Sequence, residues 1–169
     1  MNIIFLDIDG VINMYGASSR TFMKDYGQHI EQHLVNRLNY ICENVKDLRF
    51  VISLSWRHNM EDLEKQLKEQ GFKYWNLVID KTCNSLLNTD REPPYDLKED
   101  YLYSFRGEQI KEWLDKNDAI KYLVIDDEIS DICGKKCNLI PIENVCEING
   151  NRGMLRKDAI NIINYFKAD

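Results

Sequence analysis

The 169-residue chain contains no apolar run near the roughly 18 residues that a membrane span requires, so no membrane-embedded role is expected. Its first apolar stretch has no basic flank and is cut by Asp7 and Asp9, and so does not read as a secretion signal. Basic charge is also short. Twenty-two Lys and Arg stand against 28 Asp and Glu, giving a net charge of −6, and the overall field gives no help to non-specific binding of phosphate backbones. A local basic site stays open. A disulfide framework is not expected, because the five cysteines, Cys42, Cys83, Cys133, Cys137 and Cys146, are odd in number in a chain long enough to build a proper core. Nor is zinc: Cys133 and Cys137 are spaced C-x3-C, no histidine follows nearby, and a fourth ligand is missing. Reduced thiols acting as small hydrophobes, in a cytoplasmic setting, are the expectation. Internal repeats, low-complexity tracts and linkers are lacking too, so residues 1–169 are expected to form one domain.

What the chain does have is an alternation of short apolar runs with amphipathic segments. Residues 2–6 read as a strand buried on both faces. From Ile30 to Val45, Ile30, Leu34, Leu38, Ile41, Cys42 and Val45 step by three or four, one face of a helix. Phe50–Ile52 reads as a second strand, and Asn59–Gln70 as a helix with Asn59 as its cap and Gly71 as its stop. Tyr74–Ile79 reads as a strand, and 81–105, with Pro93-Pro94, as a loop excursion. Glu108–Asn117 is expected as a helix, Tyr122–Ile125 as a strand, Leu139–Val145 as another strand, and Leu155–Phe166 as the last helix. The order predicts an α/β fold, a doubly wound Rossmann-like parallel sheet with helices on both faces and no large cap domain.

The acids fall at the ends of these strands. Asp7 and Asp9 end the first, Ser53 and Ser55 the second, and Asp126, Asp127 and Asp131 end or follow a later one. A parallel sheet gathers such ends along one edge, so residues over a hundred positions apart converge in one crevice. Four or five carboxylates there repel one another unless a cation intervenes, and hard oxygen donors in this number suit Mg²⁺. A calcium loop of the EF-hand type does not fit, since Val11 stands where it needs an oxygen ligand and Ser18 where it needs a glutamate.

Phe5-Leu6-Asp7-Ile8-Asp9-Gly10-Val11 resembles the first motif of the haloacid dehalogenase (HAD) superfamily of phosphatases. Val51-Ile52-Ser53-Leu54-Ser55-Trp56-Arg57 resembles the second motif, and Val124-Ile125-Asp126-Asp127-Glu128-Ile129-Ser130-Asp131 the fourth. The run Arg106 to Leu114, with Ser-x-Ser-Trp-Arg, is similar more narrowly to the small capless "Swiss army knife" RNA-repair-like HAD domains.

The resemblance implies a phosphomonoester hydrolase in which Asp7 is the nucleophile that becomes an aspartyl phosphate. It implies Asp9 as the acid and base for the leaving oxygen and the water, with its main-chain carbonyl on the metal. Asp7, Asp126, Asp127 and Asp131 complete the implied Mg²⁺ shell. Either Ser53 or Ser55 fills the hydroxyl role. Arg106 or Lys111 fills the cationic one, and helix geometry favours Arg106, because Lys111 lies roughly 7 Å further along a helix that runs away from the edge. Trp56, Arg57 and His58 rim the pocket or, for Trp56, join the core. Tyr101, Tyr103 and Phe105 read as a half-buried strand or as a stacking platform for bases.

Only about 40 residues separate the first two motifs, too few for a folded cap, so the expected site is open and suits large phosphorylated substrates such as a nucleic-acid end. No obligate protein partner is evident. The rival reading is a HAD-fold binding or regulatory module with weak or no turnover, which Leu54 in the second motif and the lack of a clear lysine permit.

Overall fold

A computed structural model describes residues 1–14, 30–53, 56, 59–82, 106–130, 132–133 and 139–168. Five parallel strands form one sheet: β1 (Asn2–Leu6), β2 (Leu48–Ile52), β3 (Val78–Lys81), β4 (Lys121–Asp126) and β5 (Val145–Glu147), in the order β3-β2-β1-β4-β5. The helices are α1 (Gln32–Asn44), α2 (Met60–Glu69), α3 (Arg106–Lys116) and α4 (Arg156–Lys167). The chain winds from β1 through β2 to β3, then resumes on the other side of β1 at β4. The strand order therefore reverses between β1 and β4, and a doubly wound sheet opens its ligand crevice at that point.

The two-residue period of the strands sorts the core into two halves. Ile4 and Leu6, with Phe50, Ile52, Leu123 and Ile125, face α1, α2 and α4, whose Leu34, Leu38, Leu63, Leu67 and Ile162 are buried against them. Ile3 and Phe5, with Val51 and Val124, face α3 through Ile110 and Trp113, and Phe5 meets the Trp113 ring edge-on at 5.4 Å between centroids. Helices thus cover both faces, as the alternation predicts. Asn59 caps α2 by accepting from the Asp62 amide at 3.4 Å.

Two strands differ from expectation. Tyr74–Leu77 is not extended: Leu77 N donates to the Tyr74 carbonyl at 2.9 Å and closes a 3-10 turn, Trp75–Leu77, so β3 begins at Val78 and runs on through Asp80 and Lys81. β3 is an edge strand with Ile79 44% exposed, and an edge strand accepts polar residues that an apolar-run criterion cuts off. The excursion expected from residue 81 accordingly starts later, since Thr82 still donates to the Ile52 carbonyl at 2.9 Å, and residues 83–105 lie outside the described residues. In the last part of the sheet Pro141, which has no N–H to give a ladder, precedes the 3-10 turn Ile142–Asn144. The strand placed at Leu139–Val145 is therefore shorter and later, Val145–Glu147. Cys42, Cys133 and Cys146 are free thiols, and burial pushes Cys42 up to about 12 and Cys146 up to about 11. No helix among the described residues is long and apolar enough to cross a membrane.

Candidate active site

The register of the sheet builds the site. Leu6 pairs with Ile52 on one side and Ile125 on the other. The next residue of each strand, Asp7, Ser53 and Asp126, therefore stands in one row at the carboxyl edge. Asp7 donates its amide to the Ile125 carbonyl at 3.0 Å, and Ser53 donates to the Leu6 carbonyl at 3.0 Å. All three are in phase with Phe5, Val51 and Val124, which pack on α3, so the row faces the side on which α3 begins. All three are buried: Asp7 is 3% exposed, Ser53 3% and Asp126 1%.

Asp7, Asp126 and the half-buried Asp127 each offer a carboxylate oxygen within 4.8 Å of the others. Gly10 makes room for the third. Its φ is +76°, a conformation glycine adopts at no steric cost, and a β-carbon there would sit 2.5 Å from Asp127 Cγ. At the head of α3, Arg106 Nη1 donates to Asp126 Oδ1 at 2.6 Å and to the Glu128 carbonyl at 3.1 Å, and the Glu128 amide donates to the same Oδ1 at 2.9 Å.

One guanidinium does not offset two buried carboxylates with a half-buried third beside them. Burial, then the Asp126 charge, raises the Asp7 carboxyl well above the ordinary carboxylate range, against the pull of Arg106 and the Ile8 amide. Burial likewise pushes Asp126 up to about 7 despite Arg106 at hydrogen-bond distance, so desolvation outweighs the ion pair. Asp126 Oδ2 is buried and has no hydrogen-bond partner among the described residues. A buried carboxylate oxygen without a donor, in a cluster of three, fits a hard divalent cation, which takes the place of the protons. The Ser53 hydroxyl is a second buried polar atom without a partner among the described residues, on the same edge.

Asp9 lies one turn beyond the row. Its Oδ1 accepts from Trp56 Nε1 at 3.0 Å and from Asn13 Nδ2 at 2.8 Å, while Asn13 Oδ1 accepts from the Gly10 amide at 2.7 Å.

Residues 3–159 match the family described as the HAD domain in Swiss Army Knife RNA repair proteins. The chain belongs to this family. The family is one of phosphatase-like hydrolases. No curated protein matches this HAD domain, and no solved structure does.

Of the residues singled out in the sequence, the HAD domain brings together Asp7, Asp126, Asp127, Ser53 and Arg106. Asp9 is held next to them, and its carboxylate is not one of the three in the cluster. Lys111 is not brought there. It lies further along α3, 47% exposed, with its ammonium bonded to Asp115 one turn on. Ser55, Arg57, His58, Tyr101, Tyr103, Phe105 and Asp131 lie outside the described residues. Trp56 is partly buried and packs against the core, and its N–H donates to Asp9. Asn13 was not singled out by the sequence. The available signal is an asparagine four residues after Asp9 in a tight turn, where a short amide side chain bonds the loop backbone.

Proposed function

We propose that this HAD domain is a Mg²⁺-dependent phosphomonoester hydrolase that works through an aspartyl phosphate on Asp7. The observation that carries this reading is the three-carboxylate cluster of Asp7, Asp126 and Asp127 beside a buried, unpartnered Ser53 hydroxyl. A divalent cation held by the cluster supplies charge compensation for the phosphoryl oxygens.

Asp7 Oδ1 accepts the Ile8 amide at 2.8 Å, which fixes the plane of the carboxylate at the end of β1. In the first step an Asp7 oxygen bonds to phosphorus, the bond from phosphorus to the substrate oxygen breaks, and Asp9 gives that oxygen a proton. In the second, water attacks phosphorus, its proton passes to Asp9, and the bond to Asp7 breaks to release inorganic phosphate. The Ser53 hydroxyl donates to a phosphoryl oxygen. Arg106 holds Asp126 in place and adds positive charge at the edge.

The family's occurrence in RNA repair proteins and the short chain between the first two motifs favour a phosphorylated polynucleotide end over a free sugar phosphate. The net charge of −6 does not contribute to that preference.

The test is hydrolysis of an aryl phosphate with Mg²⁺, with EDTA, and with Asp7→Asn, beside a panel containing 3′- and 5′-phosphorylated oligonucleotides. Loss of turnover in EDTA and in Asp7→Asn is the expected result, and the panel then ranks the substrates. Wild-type protein that binds Mg²⁺ but never exceeds Asp7→Asn on any substrate is a binding module instead.

A further inference from the structure

Asp9 Oδ1 receives two N–H donors from different parts of the chain. One is the indole of Trp56, from the segment after β2 and 47 positions away; the other is the amide of Asn13, from the same loop as Asp9. Each donor is itself fixed. The Trp56 ring is partly buried against the larger core cluster, so its N–H direction is set by packing. Asn13 is 5% exposed, and its amide has one possible orientation: the oxygen must face the Gly10 N–H and the nitrogen must face the Asp9 carboxylate.

Two donors on one carboxyl oxygen have a chemical consequence. An oxygen that accepts two N–H bonds serves as the carbonyl oxygen when the group is a carboxylic acid, and it keeps both bonds when the group is a carboxylate. The clamp therefore holds in both protonation states and fixes the direction in which the Asp9 carboxyl group faces.

We propose that Trp56 and Asn13 are positioning residues that clamp Asp9 through Oδ1 and so aim its carboxyl group at the leaving oxygen and then at the attacking water. This rests on the reading of Asp9 as the acid and base of a phosphatase. In the step concerned, the bond between phosphorus and the substrate oxygen breaks as the Asp9 proton passes to that oxygen, and the phosphoryl group remains on Asp7.

A role confined to aiming a proton has a signature that general loosening of the fold lacks. An alkyl phosphate leaves as a strongly basic alkoxide and needs the proton, whereas a dinitrophenyl phosphate leaves as a stable anion and does not. Trp56→Phe keeps an aromatic side chain in the core and removes the N–H with the five-membered part of the indole; Asn13→Ala removes the second donor. Turnover of both substrates is measured for wild type, for each variant, and for Asp9→Asn, with Mg²⁺ affinity followed alongside.

The expected result is a loss of about 10- to 100-fold on the alkyl phosphate with less than about threefold on the dinitrophenyl phosphate, Asp9→Asn showing the same asymmetry more strongly. Equal losses on the two substrates, or no loss, overturn the proposal. A separate reading needs no turnover. The indole N–H of Trp56, assigned as the resonance that Trp56→Phe removes from the ¹⁵N spectrum, is expected to exchange slowly with solvent and to lose that protection in Asp9→Ala. Fast exchange in wild type overturns the clamp. Wild type inactive on both substrates while the indole N–H stays protected overturns the phosphatase reading and leaves the geometry standing.

Discussion

Gly10 and Asp127 occupy space that neither could share with a larger neighbour: a β-carbon on Gly10 would lie 2.5 Å from both Cγ and Oδ2 of Asp127, on a backbone whose φ is +76°. The glycine of the first strand-end loop is thus the complement of an acid that follows β4.

Gly10→Ala is expected to act on metal binding more than on folding. The left-handed φ costs about 1 kcal/mol for alanine, within reach of a stable fold. The added carbon must also move the Asp127 carboxylate out of the cluster. Titration calorimetry with Mg²⁺ should show affinity falling by about 10- to 100-fold, the range seen when a metal ligand loses its orientation. Unchanged affinity would mean that Asp127 is not a ligand.

For Ser53 the two effects are expected to separate. A buried hydroxyl with no partner costs the folded state about 1–3 kcal/mol, so Ser53→Ala should leave the thermal midpoint the same or higher. Removing a donor to the transferring phosphoryl group should lower kcat by about 100-fold. A variant both less stable and fully active would contradict the placement.

Arg106 and Lys111 are distinguished by denaturant titration and turnover together. Arg106→Ala strips the partner from a fully buried Asp126 and is expected to cost about 3 kcal/mol, with turnover lost. Arg106→Lys recovers part, because a lysine does not reproduce the guanidinium's contacts to both Asp126 and the Glu128 carbonyl. Lys111→Ala breaks an exposed pair with Asp115 and should change stability by less than about 0.5 kcal/mol.

Stability without metal should fall as pH rises. Asp7 and Asp126 both have carboxyls raised in the folded state, Asp126 from 3.8 to about 7, chiefly by burial. The folded protein therefore holds protons that the unfolded chain releases. Their contribution is complete below the unfolded value and is lost as pH climbs through the folded one, so in EDTA the midpoint should decline between about pH 4 and pH 7. Mg²⁺ is expected to remove that decline, since it takes the protons' place. A flat profile in EDTA would show that the acids are neutralised by the protein alone.

Much of this was legible in the sequence because function and folding use the same phase. The apolar residues that define β1, β2 and β4 also fix which face the next residue takes, so Asp7, Ser53 and Asp126 could be assigned to one edge from pattern alone. Arg106 could be preferred to Lys111 from helical rise. The grip of Trp56 and Asn13 on Asp9 was not legible, because it depends on where an indole edge falls after β2 has packed. The limits of β3 and β5 were misjudged for a related reason: periodicity measures burial, and edge strands are only partly buried.

The shared phase also bears on how such a chain can change length. In the loops between strands a residue gained or lost alters only the path of the connection. Within β1, β2 or β4 a single-residue insertion turns every following side chain to the opposite face, sending Phe5 and its equivalents to solvent or to the wrong helices and a strand-end acid or hydroxyl away from its partners. Such an indel loses the fold and the chemistry in one event, so selection for either guards both, and length variation among related chains should be confined to the segments between the strands.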